Sequence, residues 1–294
     1  MQVHYSMDGL PGIPSPVVTV GSFDGVHVGH RVIIDRLNDL AREVQGASVL
    51  ITFFPHPRKV LYPDSAGKDL KLINSQTEKI MLLAETGLDH LIIMEFTPGF
   101  ARTSSDVFVE RYLAGKLHAH TIVVGFNHYF GHNREGSYAS LYRARERFGF
   151  RVEEIPEQEI QNETVSSTKI RKALKEGNIQ RANAYLGHHY MIRAAMESLP
   201  EQESETGYPF YRIPLSDPTK ALPPDGEYAT SFSDNDRFNK ALLFIREGSL
   251  VLYPLEHATA VWEGEGLIRF HKKMGATGGS GLELQLDAVR ELIY

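Results

Sequence analysis

The sequence predicts an α/β domain with a doubly wound parallel sheet, followed by a small antiparallel β-barrel. Over residues 17–155, short apolar runs alternate with stretches of helical periodicity, which is typical of a parallel sheet covered on both faces. Beyond residue 205, short β-like runs follow one another with Pro, Gly and Asp turns between them, which is typical of a small barrel. A chain of 294 residues has room for two modest domains. We place them at residues 1–188 and 189–294.

The elements of both domains can be assigned in order from these patterns. The first domain has predicted strands at 17–20, 47–54, 90–94, 120–124 and 150–155. Helices are predicted near 30–44, 75–86, 104–117 and 137–148. The barrel strands are predicted at 210–214, 228–232, 241–245, 249–255 and 266–271, before a terminal helix at 287–292. Ligands of parallel α/β sheets bind beyond the carboxyl ends of the strands, so residues at those ends carry the functional argument.

The composition narrows the class of protein. The formal net charge of −6 provides no global basic field for nucleic acid, and the absence of cysteine excludes disulfides and Cys-zinc sites. No apolar run approaches the roughly 18 residues of a membrane span, and the N-terminus lacks the pattern of a signal peptide. We therefore expect a cytoplasmic protein that binds neither nucleic acid nor membrane. The oligomeric state is left open.

The string Gly21-Ser-Phe-Asp-Gly-Val-His-Val-Gly-His30 joins the first strand to the first helix. The first turn of a helix has unpaired N–H groups and a positive dipole end, so this position suits a phosphate. Gly25 and Gly29 allow close approach of the backbone, and His27 and His30 can face one bound group. The string matches neither the P-loop nor G-x-G-x-x-G. From the residues alone, the two histidines could also be ordinary surface residues.

The whole string resembles the GxFDGVHxGH signature of bacterial FAD synthetases, which are members of the HxGH nucleotidyltransferase superfamily with a Rossmann-like domain. Three later segments resemble further motifs of these proteins, in the same order along the chain. They are Thr52-Phe-Phe-Pro-His-Pro57, Gly125-Phe-Asn-His-Tyr-Phe-Gly131 and Val165-Ser-Ser-Thr-Lys-Ile-Arg171. His128 stands where an aromatic residue is usual, which is a mild departure.

The resemblance implies roles for residues in all four segments. The residues implied in catalysis are His27, His30, Asn127 and Arg171. Those implied in binding ATP and its phosphates are Gly21, Phe23, Gly25, Gly29, Ser166, Ser167 and Thr168. Those implied in binding the flavin or the nucleotide are His56, Pro57 and Phe126.

The residues by themselves leave other interpretations open. Helix capping could be the whole role of Ser166, Ser167 and Thr168. The segment around Asn127 could be an ordinary turn without a binding role. His56 between two prolines could belong to a rigid loop without further role. The phenylalanines within 96–109 could be core residues or an apolar wall for the isoalloxazine ring.

The implied reaction is FMN adenylylation, in which ATP and FMN give FAD and pyrophosphate. Mg²⁺ would bridge the phosphates and be held mainly by ATP, so no metal ligand is assigned to the protein. Three alternatives remain. The chain could use a different acceptor, it could be a bifunctional enzyme that also phosphorylates riboflavin, or it could be a flavin- or nucleotide-binding protein that has lost turnover.

In FAD synthetases a riboflavin kinase barrel occupies the second position, and Leu222–Ala229 resembles its LxPxxGVYA segment. Other kinase features do not match. Phe210 and Arg212 align with the polar Thr and Asn that meet ATP phosphate and magnesium, and Val251 aligns with the catalytic glutamate. Of the Gly- and Arg-rich loop before them, only Gly207 is present. We therefore expect a kinase-like barrel without kinase activity.

Overall fold

The computed structural model of the chain describes residues 1–126, 128–156, 159–160, 163–198, 210–215, 217–234, 237–255, 263–275 and 282–292. Among these residues, none of the helices combines the length and the apolar character needed to cross a bilayer.

A six-stranded parallel sheet organises the first part of the chain. Its strands are β1 (Gln2–His4), β2 (Val17–Val20), β3 (Ser48–Phe54), β4 (His90–Glu95), β5 (Thr121–Gly125) and β6 (Arg151–Ile155). Their spatial order is β1-β4-β3-β2-β5-β6, and the paired neighbours run parallel. β2 is buried along its whole length, as expected for a central strand covered on both faces.

Helices connect these strands. They are α1 (Val28–Glu43), α2 (Pro57–Leu61), α3 (Gln76–Ala84), α4 (Ser105–Phe108) and α5 (Tyr138–Phe148). The backbone of α4 continues as a π-helical segment over Val109–Lys116. α1 buries Ile34, Leu37, Leu40 and Ala41 against the sheet, which gives it the apolar stripe of an amphipathic helix.

The second part of the chain forms a closed antiparallel barrel. After a short hairpin of β7 (Glu159–Ile160) and β8 (Glu163–Thr164) come α6 (Ser167–Lys175) and α7 (Ile179–Leu186). The barrel strands are β9 (Met191–Ser198), β10 (Tyr211–Ile213), β11 (Gly226–Asp234), β12 (Arg237–Arg246), β13 (Ser249–Pro254) and β14 (Glu263–Lys273), and α8 (Leu282–Leu292) follows. The strand order around the barrel is β10-β13-β12-β11-β14-β9, with β9 and β10 paired to close it.

The predicted fold class is confirmed in both parts. Four strands were missed. β7 and β8 have only two residues each, and β1 and β9 have a weak local signal. β1 has only three residues, two of them polar, at the edge of the sheet. β9 contains two adjacent alanines, which have low β propensity, so its pattern did not stand out.

The chain divides into two compact units. The first contains residues 1–70 and 79–165, and the second contains residues 71–78 and 166–294. Residues 71–78 belong to the second unit because Leu72 exchanges backbone hydrogen bonds with Thr219 and Ala221 of that unit, each of 2.7 Å. A compact unit need not coincide with a family domain, so the boundary between residues 188 and 189 stays a prediction.

Within the second unit, Glu78 and Lys220 form a buried ion pair, with side chains 1% and 2% exposed. The Lys220 ammonium also donates to the carbonyl oxygens of Ile73 and Met191, each at 2.7 Å. Replacing Glu78 by Ala leaves this ammonium buried without its counter-charge. We expect a loss of about 3–5 kcal/mol in the free energy of unfolding, measured with urea.

The double variant Glu78→Ala, Lys220→Met is the control for that experiment. It removes both charges and should recover most of the loss, because no uncompensated ion is then buried. A Glu78→Ala protein as stable as the wild type would contradict the assignment.

Candidate active site

The turn between β2 and α1 places a helix N-terminus at the carboxyl edge of the parallel sheet. His27 is the N-cap of α1, and its Nδ1 accepts a hydrogen bond from the His30 N–H at 3.3 Å. Val28 and Gly29 open the helix, where backbone N–H groups have no intrahelical acceptor. The structure therefore places the predicted string at a site with the donors that an anion requires.

The backbone of this turn adopts unusual conformations. Phe23, Gly25 and Val26 all have positive φ angles, of 48°, 95° and 40°. For a β-branched residue such as Val26 this conformation is strained, and strain of this kind is concentrated at functional sites. A Cβ at Gly21 would lie 2.9 Å from the Phe23 ring, so a side chain there would displace that ring.

The structure brings the two predicted histidines together. Their rings stack with centroids 3.6 Å apart and an angle of 14° between the planes. Phe23 is buried and packs against His30, with ring centroids 4.6 Å apart. Phe23 thus supports the ring of His30, one of the two predicted catalytic histidines. Its own predicted contact with ATP stays a prediction.

Both imidazoles have defined hydrogen-bonding properties. Because His27 accepts at Nδ1, the neutral ring carries its proton at Nε2. Burial is the main cause that lowers the pKa of His30 well below its usual value, and the neighbouring charges of His27 and Lys79 act in the same direction. His30 is therefore neutral at pH 7. Its Nδ1 is buried and has no hydrogen-bond partner in the described part of the chain, as expected for an atom that a ligand would satisfy.

His56 lies at the end of β3 and is the N-cap of α2. Its Nδ1 accepts from the Arg58 N–H at 3.2 Å, and Pro57 occupies the first helical position. A rigid loop was one interpretation of this segment. The signal that sequence reasoning missed was a proline directly after a capping residue, a common way for a helix to begin.

A cavity of about 500 Å³ in the first unit begins beside the turn. Val20, Gly21 and Ser22 line one side of it, and His56 and Pro57 line another. Of the predicted site residues, Gly21, His56 and Pro57 therefore contribute to one cavity.

Phenylalanines form much of the cavity wall. The ring centroids lie 5.4–6.2 Å apart along the series Phe53, Phe96, Phe100, Phe108 and Phe130. Phe108 belongs to the buried core, and Phe53, Phe100 and Phe130 pack against that core. Within 96–109, Phe108 is a core residue, and Phe96, Phe100 and Phe108 all line the cavity. Their contact with an isoalloxazine ring stays a prediction.

The loop after β5 also lines the cavity. Phe130 and Gly136 form a β-bridge, and a Cβ at Gly136 would lie 2.7 Å from the Phe130 ring. The pKa of His128, which lines the cavity, is lowered to about 4 by burial, so this ring is neutral at pH 7. The Arg134 guanidinium lies 4.8 Å from the centre of the Tyr129 ring, and both residues line the cavity.

Two residues of this loop, Phe126 and Asn127, were predicted to belong to the site. Phe126 is half exposed and does not line the cavity, and Tyr129 and Phe130 supply the aromatic surface instead. Asn127 lies outside the described residues, so its role stays a prediction. Hydrophobic periodicity does not show which side chains of a loop face a cavity. For this reason the sequence did not single out the lining residues His128, Tyr129 and Arg134.

The predicted phosphate residues of the fourth motif belong to the second unit. Ser166 is the N-cap of α6, and its hydroxyl accepts from the Lys169 N–H at 3.4 Å. Ser167 and Thr168 occupy the first two helical positions, and Arg171 follows one turn later. The capping interpretation therefore holds for Ser166. The phosphate contacts of Ser166, Ser167, Thr168 and Arg171 stay predictions.

The positions that align with the kinase residues lie close together on the barrel. β10 and β13 are paired so that Arg212 is directly opposite Val251. Phe210 is buried, and its ring lies 5.8 Å from that of Tyr253. Gly207 lies outside the described residues.

A parallel sheet whose carboxyl edge holds a strand–turn–helix N-terminus is the architecture of nucleotide-binding α/β proteins. A family model described as FAD synthetase matches residues 13–169, which is more than half of the chain. The chain belongs to the FAD synthetase family.

Curated relatives carry the name bifunctional riboflavin kinase/FMN adenylyltransferase. The protein from Listeria monocytogenes is 28% identical over 92% of this chain and 89% of its own length. The Bacillus subtilis protein is 31% identical over 74% and 68%, and the Escherichia coli K12 protein is 30% identical over 72% and 66%. The crystal structure of a macrolide-efflux protein from Streptococcus pneumoniae covers 98% of this chain and 95% of its own, with a TM-score of 0.82 and 22% identity. That likeness shows the fold alone.

The N-cap geometry predicts a stability effect that is separate from any catalytic one. Replacing His27 by Ala removes the acceptor for the His30 N–H, which should cost about 1 kcal/mol in unfolding free energy. Asn is a good N-cap, so His27→Asn should restore most of that loss, as measured by urea denaturation. If the Asn variant is as unstable as the Ala variant, stacking on His30 rather than capping is the stabilising contact.

Proposed function

We propose that this chain is an FMN adenylyltransferase that transfers AMP from ATP to FMN, forming FAD and releasing pyrophosphate. The supporting observation is the stacked pair of His27 and His30 at the N-terminus of α1, beside an aromatic cavity, in a member of the FAD synthetase family. A phosphate oxygen of FMN attacks the α-phosphorus of ATP. The bond from that phosphorus to the bridging oxygen breaks, and pyrophosphate leaves.

Catalysis of this reaction needs positioning and charge stabilisation more than a protein nucleophile, because the attacking phosphate is already anionic. His27 would donate from Nε2 to an ATP phosphate oxygen as negative charge builds in the transition state. The helix N–H groups of Val28 and Gly29 would donate to the same group. Such preorganised donors are worth most in a site shielded from water.

The aromatic cavity would hold the isoalloxazine ring of FMN. A cavity of about 500 Å³ with a phenylalanine wall and few polar groups suits a flat tricyclic ring. Neutral His128 would offer a hydrogen bond to the polar edge of the ring. The guanidinium groups of Arg58 and Arg134, which also line the cavity, would face anionic parts of the substrates.

The other predicted residues complete the proposal. Asn127 would orient a substrate, and Arg171 with the hydroxyls at the start of α6 would bind the outer phosphates of ATP. No group of three or more His, Asp or Glu side chains in the described part of the chain is arranged for a metal. Mg²⁺ prefers oxygen ligands and keeps part of its water shell, so it would enter with ATP as part of that substrate.

For the barrel, we propose a kinase-like fold without riboflavin kinase activity. Arg212 on β10 and Val251 on β13 are directly opposite each other. The magnesium ligand and the base would therefore both be missing from the same part of the barrel. The names of the relatives favour a second candidate, a bifunctional enzyme, because the Listeria alignment covers 92% of this chain.

Formation of FAD from FMN and ATP, with release of pyrophosphate, is the direct test of the adenylyltransferase. His30, like His27, would donate to an ATP phosphate oxygen. Replacing His30 by Ala should therefore lower kcat by roughly 10²–10³-fold, as for removal of one transition-state donor. The exposed His118, changed to Asn, is the matched control and should keep wild-type kcat. A folded His30→Ala enzyme with wild-type kcat would remove His30 from the catalytic group.

Riboflavin supplied with ATP and Mg²⁺ separates the two candidates. We expect no FMN or FAD from riboflavin, because phosphoryl transfer needs a metal ligand and a base that Arg212 and Val251 do not provide. FAD should appear only when FMN is added. FMN or FAD formed from riboflavin that is free of FMN would show that the enzyme is bifunctional.

A further inference from the structure

A buried ammonium lies against the turn that carries the two histidines, and the proposed mechanism does not use it. Lys79, on α3, is only 8% exposed. Its Nζ donates to Thr52 Oγ1 at 3.2 Å and to the Ser22 carbonyl oxygen at 3.4 Å. The Thr52 hydroxyl donates to the same carbonyl at 3.2 Å. We call these three groups, Lys79, Thr52 and Ser22, the lysine triangle.

The lysine triangle joins three elements of the first unit. Lys79 comes from α3, Thr52 comes from the end of β3, and Ser22 is the second residue of the turn. Ser22 also lines the aromatic cavity. The ammonium therefore acts on the backbone at the point where the turn and the cavity meet.

A buried ammonium is costly, so its presence calls for an explanation. Moving an unpaired charge out of water costs several kcal/mol, and a methionine would fill a similar volume without that cost. Burial lowers the pKa of Lys79 to about 8, while the nearby carboxylate of Asp24 acts in the opposite direction. Asp24 is itself buried, at 4% exposed.

We propose that Lys79 is a positioning residue for the phosphate-binding turn, holding the Ser22 carbonyl so that His27 and His30 keep their stacked geometry, and that its charge favours bound ATP. The inference rests on the proposed function. Two physical effects support it. The hydrogen bonds of the lysine triangle fix the backbone one residue before Phe23, whose ring holds His30. A cation in a dry environment also attracts the phosphates more strongly than one in water.

The proposal predicts a specific pH dependence. The carboxylate of Asp24, from the turn, acts on the pKa of Lys79, and Lys79 in turn lowers the pKa of His30 on α1. Activity needs the charged form of Lys79, and this form is lost as pH rises through about 8. The substrate phosphates have second pKa values of about 6, so they do not change charge there. We expect kcat/KM for ATP, which reports the free enzyme, to fall above about pH 8.

The experiment compares Lys79→Met and Lys79→Arg with the wild type. FAD formation gives kcat and KM, calorimetry gives the affinity for ATP, and thermal melting checks folding. Lys79→Met should lower kcat and weaken ATP binding by roughly tenfold or more. The exposed Lys68, changed to Met, removes the same charge from the surface of the same unit and should leave both unchanged. Lys79→Arg keeps its charge at all these pH values, so it should retain activity and lose the decline above pH 8.

The outcomes separate this inference from the proposed function. If the wild type forms no FAD, the proposed function fails, and ATP affinity still tests Lys79. Equal kcat and ATP affinity in Lys79→Met and Lys68→Met would overturn the inference. If Lys79→Met does not fold, the pH profiles of kcat/KM for ATP in the wild type and in Lys79→Arg test the inference instead. A wild-type profile that is flat from about pH 7 to about pH 9, or a decline that persists in Lys79→Arg, would also overturn it.

Discussion

The site depends on the parallel pairing of β2 with its two neighbours. Val20 pairs with Ile51 of β3, and Thr19 pairs with Val123 of β5, all in the same direction. The carboxyl ends of these strands therefore lie at one edge of the sheet. The turn with the histidines follows β2, His56 follows β3, and the loop with His128 follows β5. A strand order in which β3 and β5 did not flank β2 would separate these groups.

Two different environments meet at that edge. The N-terminus of α1 is polar and donates hydrogen bonds, and the cavity beside it has a wall of phenylalanines. Val20, Gly21 and Ser22 belong to both, because the strand that leads into the helix also borders the cavity. Burial keeps His30 and His128 neutral, so these rings can offer hydrogen bonds without the desolvation cost of a buried cation. A substrate with a phosphate at one end and a flat apolar ring at the other matches this division.

Under the proposed function, the barrel keeps the architecture of a riboflavin kinase without its chemistry. Buried residues alternate with more exposed ones along β13, as expected for a barrel strand with one face toward the interior. Arg212 is exposed and Val251 is only partly buried, so neither side chain belongs to the tightly packed interior of the barrel. Arg212 and Val251 are compatible with the fold, and under the proposed function they would replace the groups that phosphoryl transfer requires.

The sequence by itself determined the fold class, most of the elements and the turn with its two histidines. These follow from periodicity, turn residues and helix caps, which are properties of neighbouring residues. Only the tertiary structure decided which phenylalanines face a cavity, that His128 lines it while Phe126 does not, and that Lys79 reaches the Ser22 carbonyl 57 residues away. Burial and hydrogen-bond partners arise from contacts between distant parts of the chain. No local pattern around Lys79 distinguishes it from a lysine on the exposed face of a helix.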